Sequence, residues 1–208
     1  MKVLLVNGSS KPKGCTYTAL TEVAKSLESQ GIETEIIHIG YQPIRDCIGC
    51  NACRNSGGHC AFDDGNVNDF IEKAKNADGF IFGSPVYYAH PSGRLLSFMD
   101  RAFYANSSAF AFKPAAAVVS ARRAGTTASL DTIMKHFTIN KMPVVSSSYW
   151  NMVHGNTPEQ VMQDEEGLQI MRHLGLNMAW LIKCIESGKK SGINRPELDE
   201  KIMTNFIR

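Results

Sequence analysis

No stretch of this sequence approaches the roughly 20 apolar residues that a membrane span requires, so a membrane helix is not expected. Charge of one sign is missing too. Its 22 basic and 20 acidic residues leave +2, and no basic run stands out to track a phosphate backbone, which argues against nucleic acid as the main partner. Repeats, low-complexity tracts and an interdomain linker are absent, so residues 1–208 are expected to form one domain around one core. The opening MKVLLVNG lacks the basic, apolar and cleavage regions of a secretory leader, and a cytoplasmic location that keeps thiols reduced is the expectation.

Cysteine is scarce except in one place. Of six, four fall within fourteen residues, as Cys47-x2-Cys50-x2-Cys53-x6-Cys60. Three thiolates two residues apart, with a fourth returning from farther along the loop, suit successive corners of a 4Fe-4S cubane. A loop that keeps its thiols free is the next reading. Structural zinc is third, because its usual form is two separated Cys pairs.

The apolar run KVLLVN ends at Gly8 and leads through a polar loop into TYTALTEVAKSLESQG, a strand, loop and helix. ETEIIHIG reads as a second strand, followed by the cysteine loop and a helix from about Asp64 to Asn76. GFIFGSPVYY and PAAAVVSA lack polar alternation, as strands do when both faces of a parallel sheet are covered. Helices are expected around SGRLLSFMDRAF, SLDTIMKHFTIN and LQIMRHLGLNMAWLIKCIESG, with a fifth strand near MPVVSSS and a long connection over 149–167 that reads as a lid or interface. Five strands alternating with five helices make a doubly wound α/β sandwich of three layers. Cys184 reads as core, and Asp100 with Arg101 as an ion pair on one helix.

In such a sheet, ligands bind outside the carboxyl ends of the strands. The loop GSSKPKGCTYT offers the hydroxyls of Ser9, Ser10, Thr16 and Thr18, cations at Lys11 and Lys13, a flexible Gly14 and a helix N-terminus. Together these make a phosphate site. Neither the triphosphate-loop nor the dinucleotide glycine pattern is present. The loop GSPVYYAHPSG, with Pro85, Tyr87 and Tyr88, is stiff and aromatic and suits a planar isoalloxazine ring. A third loop, SARRAGTT, places Ser120, Arg122, Arg123 and Gly125 where they reach the flavin pyrimidine edge or a nicotinamide phosphate. His90 and His154 read as structural histidines.

Taken in order, GSSKPKGCT, CIGCNAC with Cys60, ADGFIFGSPVYYAHPSG and FMDRAF resemble the flavodoxin-like NADPH-dependent FMN reductase family, and within it the iron-sulfur flavoproteins. The resemblance implies a flavodoxin-like five-stranded parallel sheet, tightly bound FMN and a homodimer or tetramer. It assigns the phosphate to Ser9, Lys11, Gly14, Cys15, Thr16 and Tyr17, the isoalloxazine to Ser84, Pro85, Val86, Tyr87 and Tyr88, and a cluster to Cys47, Cys50, Cys53 and Cys60. The function expected is electron transfer from NAD(P)H through FMN to a small-molecule or protein acceptor. A non-catalytic electron carrier or a thiol redox sensor is the alternative; carriers of this shape tend to be strongly acidic, whereas this chain is slightly basic.

Overall fold

The computed structural model describes residues 1–204 and 206. Strand β1 (Lys2–Asn7) is buried from Val3 to Asn7, and α1 (Cys15–Ser29) returns across one face of the sheet to β2 (Glu33–His38). Then come α2 (Val67–Lys75), β3 (Gly79–Tyr87), β4 (His90–Pro91) and α3 (Gly93–Ala105). The chain ends through β5 (Ala115–Ala121), α4 (Thr126–Ile139), β6 (Met152–His154), α5 (Pro158–Val161) and α6 (Glu165–Lys190).

The parallel strands lie in the order β2-β1-β3-β5-β6, and β4 folds back antiparallel onto the end of β3. Because β1 feeds outward to β2 while β3 lies on its other side, the connections diverge at the β1/β3 boundary, the position at which doubly wound sheets bind their ligands. Apolar side chains fill both faces. One core joins Phe70, Phe80, Phe82, Phe98, Phe103, Phe110 and Phe137 beneath α2, α3 and α4. The other packs Leu20, Leu27, Met171, Leu174 and Met178 of α1 and α6 against Leu5, Ile81 and Val118. The three-layer architecture is therefore as the apolar runs imply.

The fifth strand lies elsewhere than the sequence pattern puts it. Val144 makes one bridge to Ala115, and Val145 N–H donates to Ala115 O (2.8 Å), but the chain then leaves the sheet. Ser147 donates to Ile170 O and Asn177 to Ser146 O, which hold the excursion on α6. Pairing resumes at Met152–His154 against Val119–Ala121. Two short segments thus share one long partner strand, which apolar pattern alone does not reveal.

Smaller corrections have similar causes. Helix α2 starts at Val67 rather than near Asp64, since Gly65 takes a left-handed backbone (φ +73°). Cys184 is exposed, because the buried stripe of α6 runs through Leu174, Met178 and Ile182 and two residues on is the far side of the helix. Asp100 and Arg101 do not pair; Asp100 contacts His136, while Arg101 points into the protein.

Candidate functional site

The loops after β1, β3 and β5 meet at the carboxyl edge and are tied to one another by hydrogen bonds. Gly8 N–H donates to Gly83 O (2.8 Å), and a Cβ on Gly8 would lie 2.8 Å from that oxygen and 2.9 Å from Leu95 Cβ. Only glycine fits there. Ser9 is buried, donating its N–H to Asn7 Oδ1 and accepting from Lys11 N–H through its hydroxyl, while its carbonyl lies 2.8 Å from His38 Nε2. Helix α1 begins at Cys15 with Gly14 in the cap position, and no side chain among the described residues caps it. Its first-turn N–H groups therefore face the loop that also carries exposed Lys11 and Lys13, an arrangement that favours a dianion.

Thr16 is buried, and its hydroxyl shares a hydrogen bond with Ser120 Oγ (2.9 Å), joining α1 to the end of β5. Thr16→Ala should leave the buried Ser120 hydroxyl unpaired and cost about 1 kcal/mol of stability, as should Ser120→Ala. In chemical denaturation the double variant should cost little more than either single one. Additive losses would show that the two hydroxyls act separately. Cys15, half-buried, points its thiol at Gly155 O (3.7 Å), and burial pushes that thiol above its ordinary range.

Beyond Gly83 the chain forms a hairpin. Tyr87 pairs with His90 across a turn whose first residue, Tyr88, has φ +59° and is fully exposed. A bulky residue in that backbone region carries about 1 kcal/mol or more of strain, and such strain gathers at functional loops. Tyr87 Oη shares a hydrogen bond with Ser10 Oγ (2.9 Å) and accepts from Ser10 N–H, so the hairpin rests on the β1 loop. Burial pushes the Tyr87 phenol up, but hydrogen bonds from Ser10 and Ser9, with the nearby charge of Arg94, outweigh it and hold the phenol below its usual value.

Ser84 is turned inward, its hydroxyl donating to Pro85 O and accepting from Ser92 N–H. Pro85 and Val86 are partly exposed, and Gly125 (φ +91°) passes so close to Val86 that a Cβ would sit 2.9 Å from its methyl. Arg122 and Arg123 are exposed on the same rim, and Tyr17 is half-buried on the first turn of α1. Arg94 belongs to none of the motifs of the sequence. It stands in the first turn of α3, and its buried Nε has no partner among the described residues. A cation in the first turn opposes the helix dipole, so an anion beside Arg94 would be favoured there.

Between β2 and α2, the cysteine loop lies against one face of α3. Ser97 donates to Asp46, Arg101 to Cys60 Sγ, and Tyr104 to Asn51 Oδ1, residues three and four apart on that helix. Cys47, Cys50, Cys53 and Cys60 line a single small cavity with Phe62, Arg101 and Tyr104. Cys47 and Cys50 are exposed and Cys53 is buried. Among the described residues no three ligating side chains converge on a common point. The donor set is nonetheless all sulfur, as an iron–sulfur group requires, and a buried cation stands against its fourth member.

A larger cavity, of about 660 Å³, opens at the opposite edge of the sheet beside Lys113, Pro114, Ile182 and Ile193, and none of these loops reaches it. Among the described residues no helix is long and apolar enough to cross a membrane.

Residues 1–157 match the family model described as NADPH-dependent FMN reductase. An iron-sulfur flavoprotein of Methanocaldococcus jannaschii is 33% identical over 197 residues, covering 89% of this chain and 100% of that protein. One from Methanosarcina thermophila is 27% identical over 197 residues, covering 91% and 99%. Among solved structures, RosB with bound 8-demethyl-8-formylriboflavin-5'-phosphate matches at TM-score 0.71 and 14% identity, over 100% of this chain and 92% of that one. A flavodoxin from the Archaea matches at TM-score 0.59 and 17% identity, over 88% and 99%. Identities this low establish the fold alone, which is flavodoxin-like.

Proposed function

The chain belongs to the NADPH-dependent FMN reductase family, and from that premise we propose an FMN-dependent oxidoreductase that passes electrons from NAD(P)H to a small-molecule or protein acceptor. The observation that carries this reading is the meeting of three cross-linked loops at the β1/β3 switch point, one suited to phosphate and one to a flat ring. Bound FMN would supply the chemistry, taking up a hydride equivalent and delivering electrons onward. The protein's own residues bind and orient.

The uncapped start of α1, with Ser9, Ser10, Lys11, Gly14, Cys15, Thr16 and Tyr17, would hold the phosphate. Backbone groups of Ser84 to Tyr88 would border the ring, with Tyr87 braced by Ser10 and Tyr88 free at the hairpin tip to cover it. Gly125 and the exposed Arg122 and Arg123 form the far rim, with Ser120 buried beneath it on Thr16, and there two guanidiniums favour the phosphates of an approaching nicotinamide nucleotide. Cys47, Cys50, Cys53 and Cys60 would hold a 4Fe-4S cluster, which supplies one-electron exchange beside a two-electron flavin.

A homodimer or tetramer accompanies this reading. Tyr149 and Trp150 are more than half exposed and pack edge-on at 5.0 Å, and α6, which meets the adjoining Ser148 through His173, exposes Leu176 and Trp180. Aromatic surface of that kind is commonly an interface.

Protein purified without oxygen should carry about one FMN per chain, with flavin absorption near roughly 370 and 450 nm, and should oxidise NADPH or NADH once an acceptor is added. Light scattering on the same sample should give a mass above that of one chain. Colourless protein that also refuses added FMN would overturn the assignment, and a monomer at micromolar concentration would remove the assembly.

A further inference from the structure

Arg101 is 1% exposed and heads the largest fully buried side chains among the described residues. Burying a guanidinium costs several kcal/mol unless its surroundings compensate, and a well-packed apolar residue would serve the fold of α3 at least as well. Its contacts all lie in one segment. Nε–H donates to Cys60 Sγ (3.2 Å), Nη2 donates to Phe62 O, Nη1 donates to Arg45 O (3.5 Å) and meets Asp64 Oδ1 at 2.6 Å. Arg101 and Arg45 also both approach the Phe62 ring, at 5.6 and 5.1 Å from its centroid. One residue of α3 thus gathers both ends of the cysteine loop and touches the thiol that lies farthest along it.

We propose that Arg101 is a positioning residue for the cysteine loop, holding Cys60 in place and setting the reduction potential of the iron–sulfur group that the four thiols bind. The inference rests on the reading that this loop carries a cluster. Cluster potentials follow net charge, hydrogen bonds to the ligand sulfurs and solvent exposure. A buried cation that also donates to a ligand sulfur acts on the first two in the same direction: it favours the electron-rich state. Asp64, 34% exposed, opposes it from the other side of the guanidinium.

The two groups therefore predict shifts of opposite sign. After anaerobic reconstitution, the cluster potential is read by redox titration with electron paramagnetic resonance detection. R101Q should make reduction at least tenfold less favourable, a downward shift of about 59 mV for one electron. D64N should move it upward, by roughly two- to threefold in the equilibrium constant, since only a partly solvated anion is lost. R101K, which keeps the charge but loses the planar fork, should stay closer to the unaltered protein than R101Q. FMN content and circular dichroism report whether each variant is folded.

A role confined to folding predicts no opposed pair, so potentials unchanged by both R101Q and D64N, or shifted the same way by both, overturn the inference. Where R101Q yields too little folded protein, D64N and R101K carry the test: an upward shift in D64N with R101K within threefold of the unaltered protein supports the role, and an unmoved D64N overturns it. Unaltered protein that binds FMN but takes up neither iron nor sulfide removes the cluster reading and this inference with it. A normal cluster indifferent to the substitutions removes only the role of Arg101.

Discussion

Serine in place of Cys60 should leave a protein that still binds FMN in full but whose iron falls from about four per chain to near background after anaerobic reconstitution. The expectation follows from how the loop is built. Cys47, Cys50 and Cys53 come from one tight run, whereas Cys60 reaches the same cavity only after a turn through Gly57 and Gly58, and its backbone is fixed by paired hydrogen bonds with the Asn68 side chain. No neighbouring cysteine is placed to substitute, since Cys15 lies against Gly155 and Cys184 is exposed on α6. A hydroxyl is a poor ligand for iron where a thiolate is required. The loops proposed to hold FMN lie after β1, β3 and β5, outside this segment, so FMN should be retained. Iron and acid-labile sulfide analysis beside flavin content reads both halves at once. Unchanged iron in this variant, or in Cys53→Ser, would show that the metal sits elsewhere; no iron in the unaltered chain would make the loop a structural one.

Gly8→Val should be the more damaging change for the flavin itself. The added Cβ would press on the Gly83 carbonyl at 2.8 Å and on Leu95 Cβ at 2.9 Å, and both neighbours belong to elements fixed by the core. Backbone cannot yield as a flexible side chain does. The β1 loop must then move away from β3, breaking the Gly8 N–H to Gly83 O bond and separating the two loops proposed to hold the phosphate and the ring. The expected cost is about 3 kcal/mol of stability, at the upper end for an overpacked site, together with loss of measurable FMN binding by titration. Gly8→Ala places the same Cβ without the outer methyls and should lie between. Valine with native affinity and an unmoved denaturation midpoint would mean that the two loops do not have to touch.

Much of this site is legible in the chain itself, and the reason is periodicity. The apolar runs at 2–7, 79–83 and 115–121 lack polar alternation because both faces of those strands are covered, and that property alone fixes the layer arrangement. The polar loops that follow each run necessarily fall on one edge of a parallel sheet. The four cysteines likewise end around one cavity, because residues of one short loop stay near one another, although among the described residues no three of the thiols converge on a common point.

What the chain by itself determined, then, is the doubly wound architecture, the sheet edge on which the polar loops fall and the gathering of four cysteines into one loop, since each depends on local pattern and short separations. Tertiary structure decided the rest. It split the fifth strand, because β5 had room for two partners; it set Tyr87 against Ser10, 77 residues apart, and Thr16 against Ser120, 104 apart. It also turned Arg101 from the expected partner of Asp100 on one helix into a buried cation held by Cys60 and Asp64. Such contacts join residues that sequence separates, and they exist only once the sheet has brought its loops to one edge.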